Sequence, residues 1–305
     1  MRRKIIQVTA CIFANASCEN FLSGKLYTGD LKKFCVPGLN CYSCPAANFS
    51  CPLGAIQAAT SSATLSFSFY ATGIILAFGV LIGRAVCGFL CPFGLIQEIF
   101  YKVPSKKFNL WRKLIYIKYF LLIIFVLLIP ELAVNFAGIG VPAFCQYICP
   151  AGTLEAGLIL LATHREFFEV LGGIFALKMF LLAVTVLGSV ICYRFFCKVL
   201  CPLGAIYGIL NKISFYHLQV DKSKCINCGA CKKICRMNVN PVRQTDSAEC
   251  ILCGDCKNVC PRGAIKISNK ILNIALDNFT ACISANNFFN LCIFNHTPTQ
   301  KTGVT

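Results

Sequence analysis

Charged side chains are scarce in this sequence. Asp, Glu, Lys and Arg together make up 13% of the 305 residues, against about 25% in ordinary soluble domains, so a water-solvated globule is excluded from the start. Acids are the rarer sign. Asp and Glu total 12 against 29 Lys and Arg, which leaves a net charge of +17. Such an excess suits nucleic acid, but here the basic residues flank apolar stretches. They read as loops held on the inner face of a membrane, and nucleic acid is not expected as a partner. Histidine is nearly missing. His164, His217 and His296 offer no paired positions on apolar stretches, which argues against a di-haem quinol oxidase. No Gly-rich nucleotide fingerprint is present. Met1-Arg2-Arg3-Lys4 has no clear small-residue cleavage site after it, so no cleavable signal peptide is expected.

Apolar residues fill the space that charge leaves. They make up 57% of the chain, and the mean hydropathy is +0.68. Four stretches approach the ~20 apolar residues of a spanning helix: about 4–22, 63–85, 114–130 and 170–192. The first is weak, because it holds Gln7, Asn15, Glu19 and Asn20. A further stretch, 153–163, is too short to span and reads as interfacial or re-entrant. Lys102, Lys106, Lys107, Arg112, Lys113 and Lys118 follow the second stretch, and Lys198, Lys212, Lys222 and Lys224 follow the fourth. These loops are expected in the cytoplasm, with 23–61 and 131–165 facing outward. Lys178, inside the fourth stretch, is expected to snorkel or to pair with Glu155. The division is an N-terminal segment with a Cys-rich loop (1–61), a transmembrane helical domain (62–220), a small soluble domain (221–270) and an unassigned tail (271–305) that carries Cys282 and Cys292.

Cysteine is abundant, at 23 residues, and it comes in runs. One run is Cys225, Cys228, Cys231, Cys235; another is Cys250, Cys253, Cys256, Cys260, followed by Pro261. This is C-x2-C-x2-C-x3-C twice, the ligand run of bacterial two-cluster ferredoxins. Three close thiolates on one loop reach three corners of a cubane, and the fourth cysteine of each run serves the other cluster. One [4Fe–4S] cluster is therefore assigned to Cys225, Cys228, Cys231 and Cys260, and the other to Cys235, Cys250, Cys253 and Cys256. Two complete runs weigh against zinc, which uses C-x2-C pairs. Arg236 stands where Pro is usual after the fourth cysteine, which bears on local geometry.

A second frame repeats in the apolar part. Arg84-x2-Cys87-x3-Cys91-Pro92-x-Gly94-x-Ile96 follows the second stretch, and Arg194-x2-Cys197-x3-Cys201-Pro202-x-Gly204-x-Ile206 follows the fourth. Cysteines four apart share a helix face. The two pairs together supply four thiolates for a third cluster at the inner surface, with Arg84 and Arg194 offsetting its charge. Cys145-x3-Cys149-Pro150 has the same frame, and Cys51-Pro52 has its second half, with Ala47 where the first cysteine would stand. The expected outward set is Cys44, Cys51, Cys145 and Cys149. Cys35 and Cys41 are competitors or a disulfide.

On these motifs, and on Cys35-x5-Cys41-x2-Cys44-Pro45, the chain resembles membrane polyferredoxins of the NapH and NosR type, in particular the shorter 4Fe–4S-binding membrane proteins of anaerobes. The resemblance covers roughly residues 1–270. It implies a multi-span α-helical membrane protein with a C-terminal α+β two-cluster ferredoxin domain. It also implies electron transfer at the cell membrane with ferredoxin-, flavin- or quinone-linked partners. No N-terminal flavin domain like that of NosR is expected. A quinol dehydrogenase subunit and an assembly or metal-reduction factor for another redox enzyme are the rival readings.

Overall fold

The computed structural model describes residues 2–60, 65–133, 141–164, 166 and 172–269. The tail with Cys282 and Cys292 lies outside them. The described chain is mostly helical, with one two-stranded sheet near its C-terminal end.

Helix α1 is Arg2–Ala14. At 13 residues it is about 20 Å long, short of a ~30 Å hydrocarbon core. It lies instead against the segment around Cys91. Gln7 is fully buried there and donates to the Cys91 carbonyl at 3.2 Å. After an irregular Cys-rich loop come α2 (Pro52–Thr60), α3 (Leu65–Ile82), α4 (Ala85–Phe89) and α5 (Pro92–Phe100). The chain continues through α6 (Arg112–Leu132), α7 (Phe144–Ile148), α8 (Pro150–Thr163) and α9 (Gly173–Ile191). Helices α10 (Phe195–Val199) and α11 (Pro202–Leu210) complete this part.

Among the described residues, α6 and α9 are long and apolar enough to cross a membrane by length and composition. Of the four stretches expected from sequence, 114–130 and 170–192 meet this measure; the start of the second, 63–85, lies outside the described residues. Within α3 the described apolar helix is 69–82, and α8 is likewise shorter than a span. Both α6 and α9 keep large apolar side chains on the outside, among them Phe120, Ile123, Phe180 and Leu187. A helix apolar on its exposed face suits a lipid surround better than water.

The repeat read from sequence is a repeat of backbone. Each copy is a five-residue helix (α4, α10), a turn, and a nine-residue helix opened by Pro (α5, α11). Proline suits the first helical position, where its missing N–H costs nothing, and it drives the preceding residue to extended backbone. Cys91 and Cys201 accordingly hold φ/ψ of −81/116° and −79/110°. Cys149, before α8, is alike at −66/117°.

Strands β1 (Tyr216–Val220) and β2 (Ile265–Asn269) pair antiparallel, from Tyr216 opposite Asn269 to Val220 opposite Ile265. They close the ends of the soluble domain over Leu218, Leu252 and Ile265. Between them lie α12 (Ala230–Ile234) and α13 (Asp255–Val259). The larger core runs unbroken from Cys51 and Cys149 through Cys87, Cys91 and Cys201 to Met237, Val239 and Ile251, so the soluble domain is packed on the helical part.

Candidate cysteine-lined sites

The two ferredoxin runs fold alike. Asn227 and Leu252, each one residue before the second cysteine, have φ of 51°. Gly229 and Gly254, one residue after it, have φ of 75° and 82°, a left-handed backbone that favours glycine. This turns each loop back so that α12 and α13 begin under it. Each hollow in this part is lined by cysteines from both runs. Cys225, Cys228, Cys231 and Cys260 line one hollow. Cys235, Cys250, Cys253 and Cys256 line another. Arg236 leaves the geometry unaltered, since Cys235 at −72/101° matches the Pro-preceding Cys260 at −74/112°. Among the described residues no three His, Cys, Asp or Glu converge as tightly as a single metal ion requires. A cubane is larger than one ion and keeps its four thiolates further apart.

Cys87, Cys91, Cys197 and Cys201 come together at the junction of the repeats. All four are buried, and each lies within electrostatic reach of the others. Cys91 and Cys201 stand at the N-termini of α5 and α11, and the Gly204 N–H donates to the Cys201 sulfur at 3.4 Å. A helix N-terminus carries partial positive charge, which offsets negative charge placed on a sulfur there.

The arginines cross over. Arg84 of the first copy donates to the Cys197 carbonyl of the second at 3.1 Å, and Arg194 of the second to the Cys87 carbonyl of the first at 2.5 Å. Both are fully buried, so each needs a counterion. Arg194 takes Glu98 at 2.5 Å; Arg84 takes Glu249 at 2.7 Å, and Glu249 also holds the buried Lys118. The arginines thus lock the two halves together and are already paired with carboxylates.

Glu98 also receives Arg3 at 2.8 Å and the Tyr193 hydroxyl at 2.7 Å. Burial pushes its carboxyl up, but Arg3, Arg194 and Tyr193 outweigh burial and hold it at about 2, against an ordinary 4.5. A lowered folded value means that stabilisation is present at neutral pH and is lost as pH falls from about 4.5 towards about 2. The shift corresponds to about 3 kcal/mol. Thermal unfolding followed by circular dichroism from about pH 6 to about pH 3 should show wild type losing about 2 kcal/mol of this, with the remainder lost as pH falls through about 2. Glu98→Gln should be less stable at neutral pH and flatter with acid. Parallel curves would contradict the assignment.

Sequence reading passed over two glutamines, Gln57 and Gln97. Each stands six residues after a Cys-Pro cysteine. The Gln97 amide donates to the Cys197 sulfur at 3.1 Å, and its carbonyl accepts from Phe196 N–H at 3.0 Å. Gln57 does the same to Cys145 at 3.1 Å and Phe144 at 3.0 Å. The recurring C-P-x-G-x-I-Q in 51–57 and 91–97 was the available signal.

The outward set needs correction at one position. Cys51, Cys145 and Cys149 line a cavity of about 730 Å³ together with Cys41, and Cys44 is not in its wall. Cys44 points elsewhere. Its sulfur donates to the Glu155 carbonyl at 3.4 Å, and it packs with Ala46, Ala47 and Ala156. Lys178, expected to snorkel or to pair with Glu155, lines the same cavity and donates to the Cys145 carbonyl at 3.4 Å. Among the described residues no cysteines are joined in a disulfide, Cys35 and Cys41 included.

Two kinds of 4Fe–4S binding domain are recognised in this chain. One matches residues 64–110, 119–166 and 174–217, and the other 218–239 and 244–266. The chain therefore carries ferredoxin-type 4Fe–4S binding domains and binds two or more [4Fe–4S] clusters. It is 31% identical to an uncharacterized protein of Methanocaldococcus jannaschii over 54% of this chain and 56% of that one. A second protein of that organism is 28% identical over 54% and 64%. The methylamine utilization ferredoxin-type protein MauN of Methylorubrum extorquens is 29% identical over 53% and 50%. The chain thus spans about half to two thirds of the length of these relatives. No solved structure matches.

Proposed function

We propose that the chain is a membrane-associated electron carrier, passing electrons between a cytoplasmic partner and a membrane quinone or a flavoprotein. A bound [4Fe–4S] cluster supplies one-electron redox chemistry; the chain's part is to hold such groups close, in order and shielded from water.

The observation that carries this reading is the seating of the second ferredoxin run on the inner four-cysteine set. A Cβ on Gly88, next to Cys87, would meet the Ile251 carbonyl at 2.7 Å, so the two backbones touch. Asn211 of the helical part donates to the carbonyls of Ser247 (2.8 Å) and Cys250 (3.4 Å). Lys198, next to Cys197, donates to the Arg236 carbonyl, next to Cys235, at 3.0 Å. Cys235 and Cys250 of one set are thereby one or two residues from contacts with the other.

The far end of the soluble domain is open. Cys228 is exposed, Lys224 and Arg262, which line that hollow, are exposed, and so are Lys222, Lys232 and Lys233 close by in the chain. This rim favours an acidic soluble donor or acceptor, since complementary charge speeds encounter.

The topology is testable directly. Reporter fusions after Lys107 and after Asp221 are both expected to read cytoplasmic, because the basic loops flank that side. An external reading for either, or full recovery of the protein in the soluble fraction, would overturn the membrane orientation.

A further inference from the structure

The inner set has a near copy on the other side of residues 37–41. In the inner set, Cys91 opens α5, Gln97 one turn and a half later holds Cys197, and Cys201 opens α11. In the outer set, Cys51 precedes α2, Gln57 holds Cys145, and Cys149 opens α8. The glutamine bonds are the same to the atom and to 0.1 Å, with 3.1 Å to sulfur and 3.0 Å from the preceding residue's N–H in each. The inner set has a fourth thiol, Cys87, four residues before Cys91. The outer set has Ala47 at that offset, and a fourth thiol has to come from elsewhere.

Cys41 fills that place. It lines the outer cavity with Cys51, Cys145 and Cys149, and it lies within electrostatic reach of Cys51, Cys145 and Cys149. Its backbone is held by Glu155, whose carboxylate accepts the Cys41 N–H at 3.0 Å. Glu155 stands six residues after Cys149, the offset that Gln57 and Gln97 hold from their own cysteines. Its other oxygen is buried without a partner. A Cβ on Gly152 would meet the Cys41 sulfur at 3.0 Å, so glycine there makes room for the thiol over the first turn of α8. Two cations, Lys32 and Lys178, line the cavity, and four thiolates around a cluster carry net negative charge that they offset.

We propose that Cys41, Cys51, Cys145 and Cys149 bind a further [4Fe–4S] cluster. The segment between the two sets joins them: the Leu39 N–H faces the Cys91 sulfur, and the Asn40 N–H faces the Cys51 sulfur. Both residues are buried, and Tyr207 holds the segment through the Pro37 carbonyl at 2.8 Å. The proposal rests on the reading of the chain as a cluster-binding carrier, but it makes its own demand on iron content.

The test is iron and acid-labile sulfide on the anaerobically purified full chain and its single variants, with the EPR signal of the dithionite-reduced protein. Cys41→Ser and Cys51→Ser should each remove about four iron, and the double variant no more than either alone. Cys44→Ser and Cys35→Ser should remove none. Loss in Cys44→Ser with full iron in Cys41→Ser would overturn the assignment. Full iron in both Cys41→Ser and Cys51→Ser would overturn the site. Additive loss in the double variant would also overturn it, because the thiols would then not share one cluster. Cys91→Ser in parallel separates the two levels. If it loses iron while Cys41→Ser does not, the carrier reading stands and this site falls.

Discussion

Cys91→Ser is expected to remove about four iron from the full chain and, on the proposed carrier role, to slow electron passage from the reduced ferredoxin domain to an added quinone more than about 100-fold, since losing a mere supporting partner of a metal ligand already costs 10–100-fold. The residue is almost fully buried at the N-terminus of α5. Its sulfur faces the N–H groups of Leu39 and Gly94, and its carbonyl is tied to Gln7 at 3.2 Å. Serine keeps the shape and the helix cap, so the fold should survive. Cys192→Ser is the control. Cys192 is equally buried but stands outside the four sets, with Lys198 3.9 Å from its sulfur. It should keep both iron and rate. Iron and rate are read by colorimetric assay and stopped-flow absorbance. Equal behaviour of the two variants would remove the inner set from the account.

The second large effect concerns Glu249, which neutralises Arg84 at 2.7 Å and the buried Lys118. Both cations are fully buried. Burial pushes the Glu249 carboxyl up, but the charges of Arg84 and Lys118 outweigh burial and hold it below its ordinary range. Glu249→Gln leaves two buried cations without a counterion, which should cost about 3–5 kcal/mol. The loss falls on the seating of the soluble domain, because Glu249 precedes Cys250 and sits beside the segment that touches Gly88. Thermal melts should drop clearly, and transfer between the domain and the helical part should fall while iron content is retained. A melt like that of wild type would mean that the domain is held by other contacts.

What could be read beforehand followed from spacing. The ferredoxin cysteines repeat at short fixed offsets, and the local loop geometry follows from those offsets, so even the placing of Cys260 beside the first run and Cys235 beside the second was legible. The Arg-x2-Cys-x3-Cys-Pro frame was legible for the same reason. What was hidden depends on tertiary distance. Cys41 lies ten residues before Cys51, and nothing in that interval distinguishes it from Cys44, which is nearer and followed by Pro45. Only the fold turns one sulfur into the cavity and the other towards Ala156. The arginines were expected as charge for a cluster. Their carboxylate partners, Glu98 and Glu249, come from distant segments that no local pattern links to them. The glutamines stood at a repeated offset and were missed because an amide in an apolar run carries no motif of its own. The N-terminal helix was weak as a span because of Gln7, and Gln7 is the residue that docks it on Cys91.

Iron and acid-labile sulfide per chain in anaerobically purified full-length protein test the central claim most directly. The two ferredoxin sets and the inner set together predict about twelve iron, and the outer set raises this to about sixteen. About eight iron, all retained by the soluble domain, or zinc as the stoichiometric metal, would contradict it.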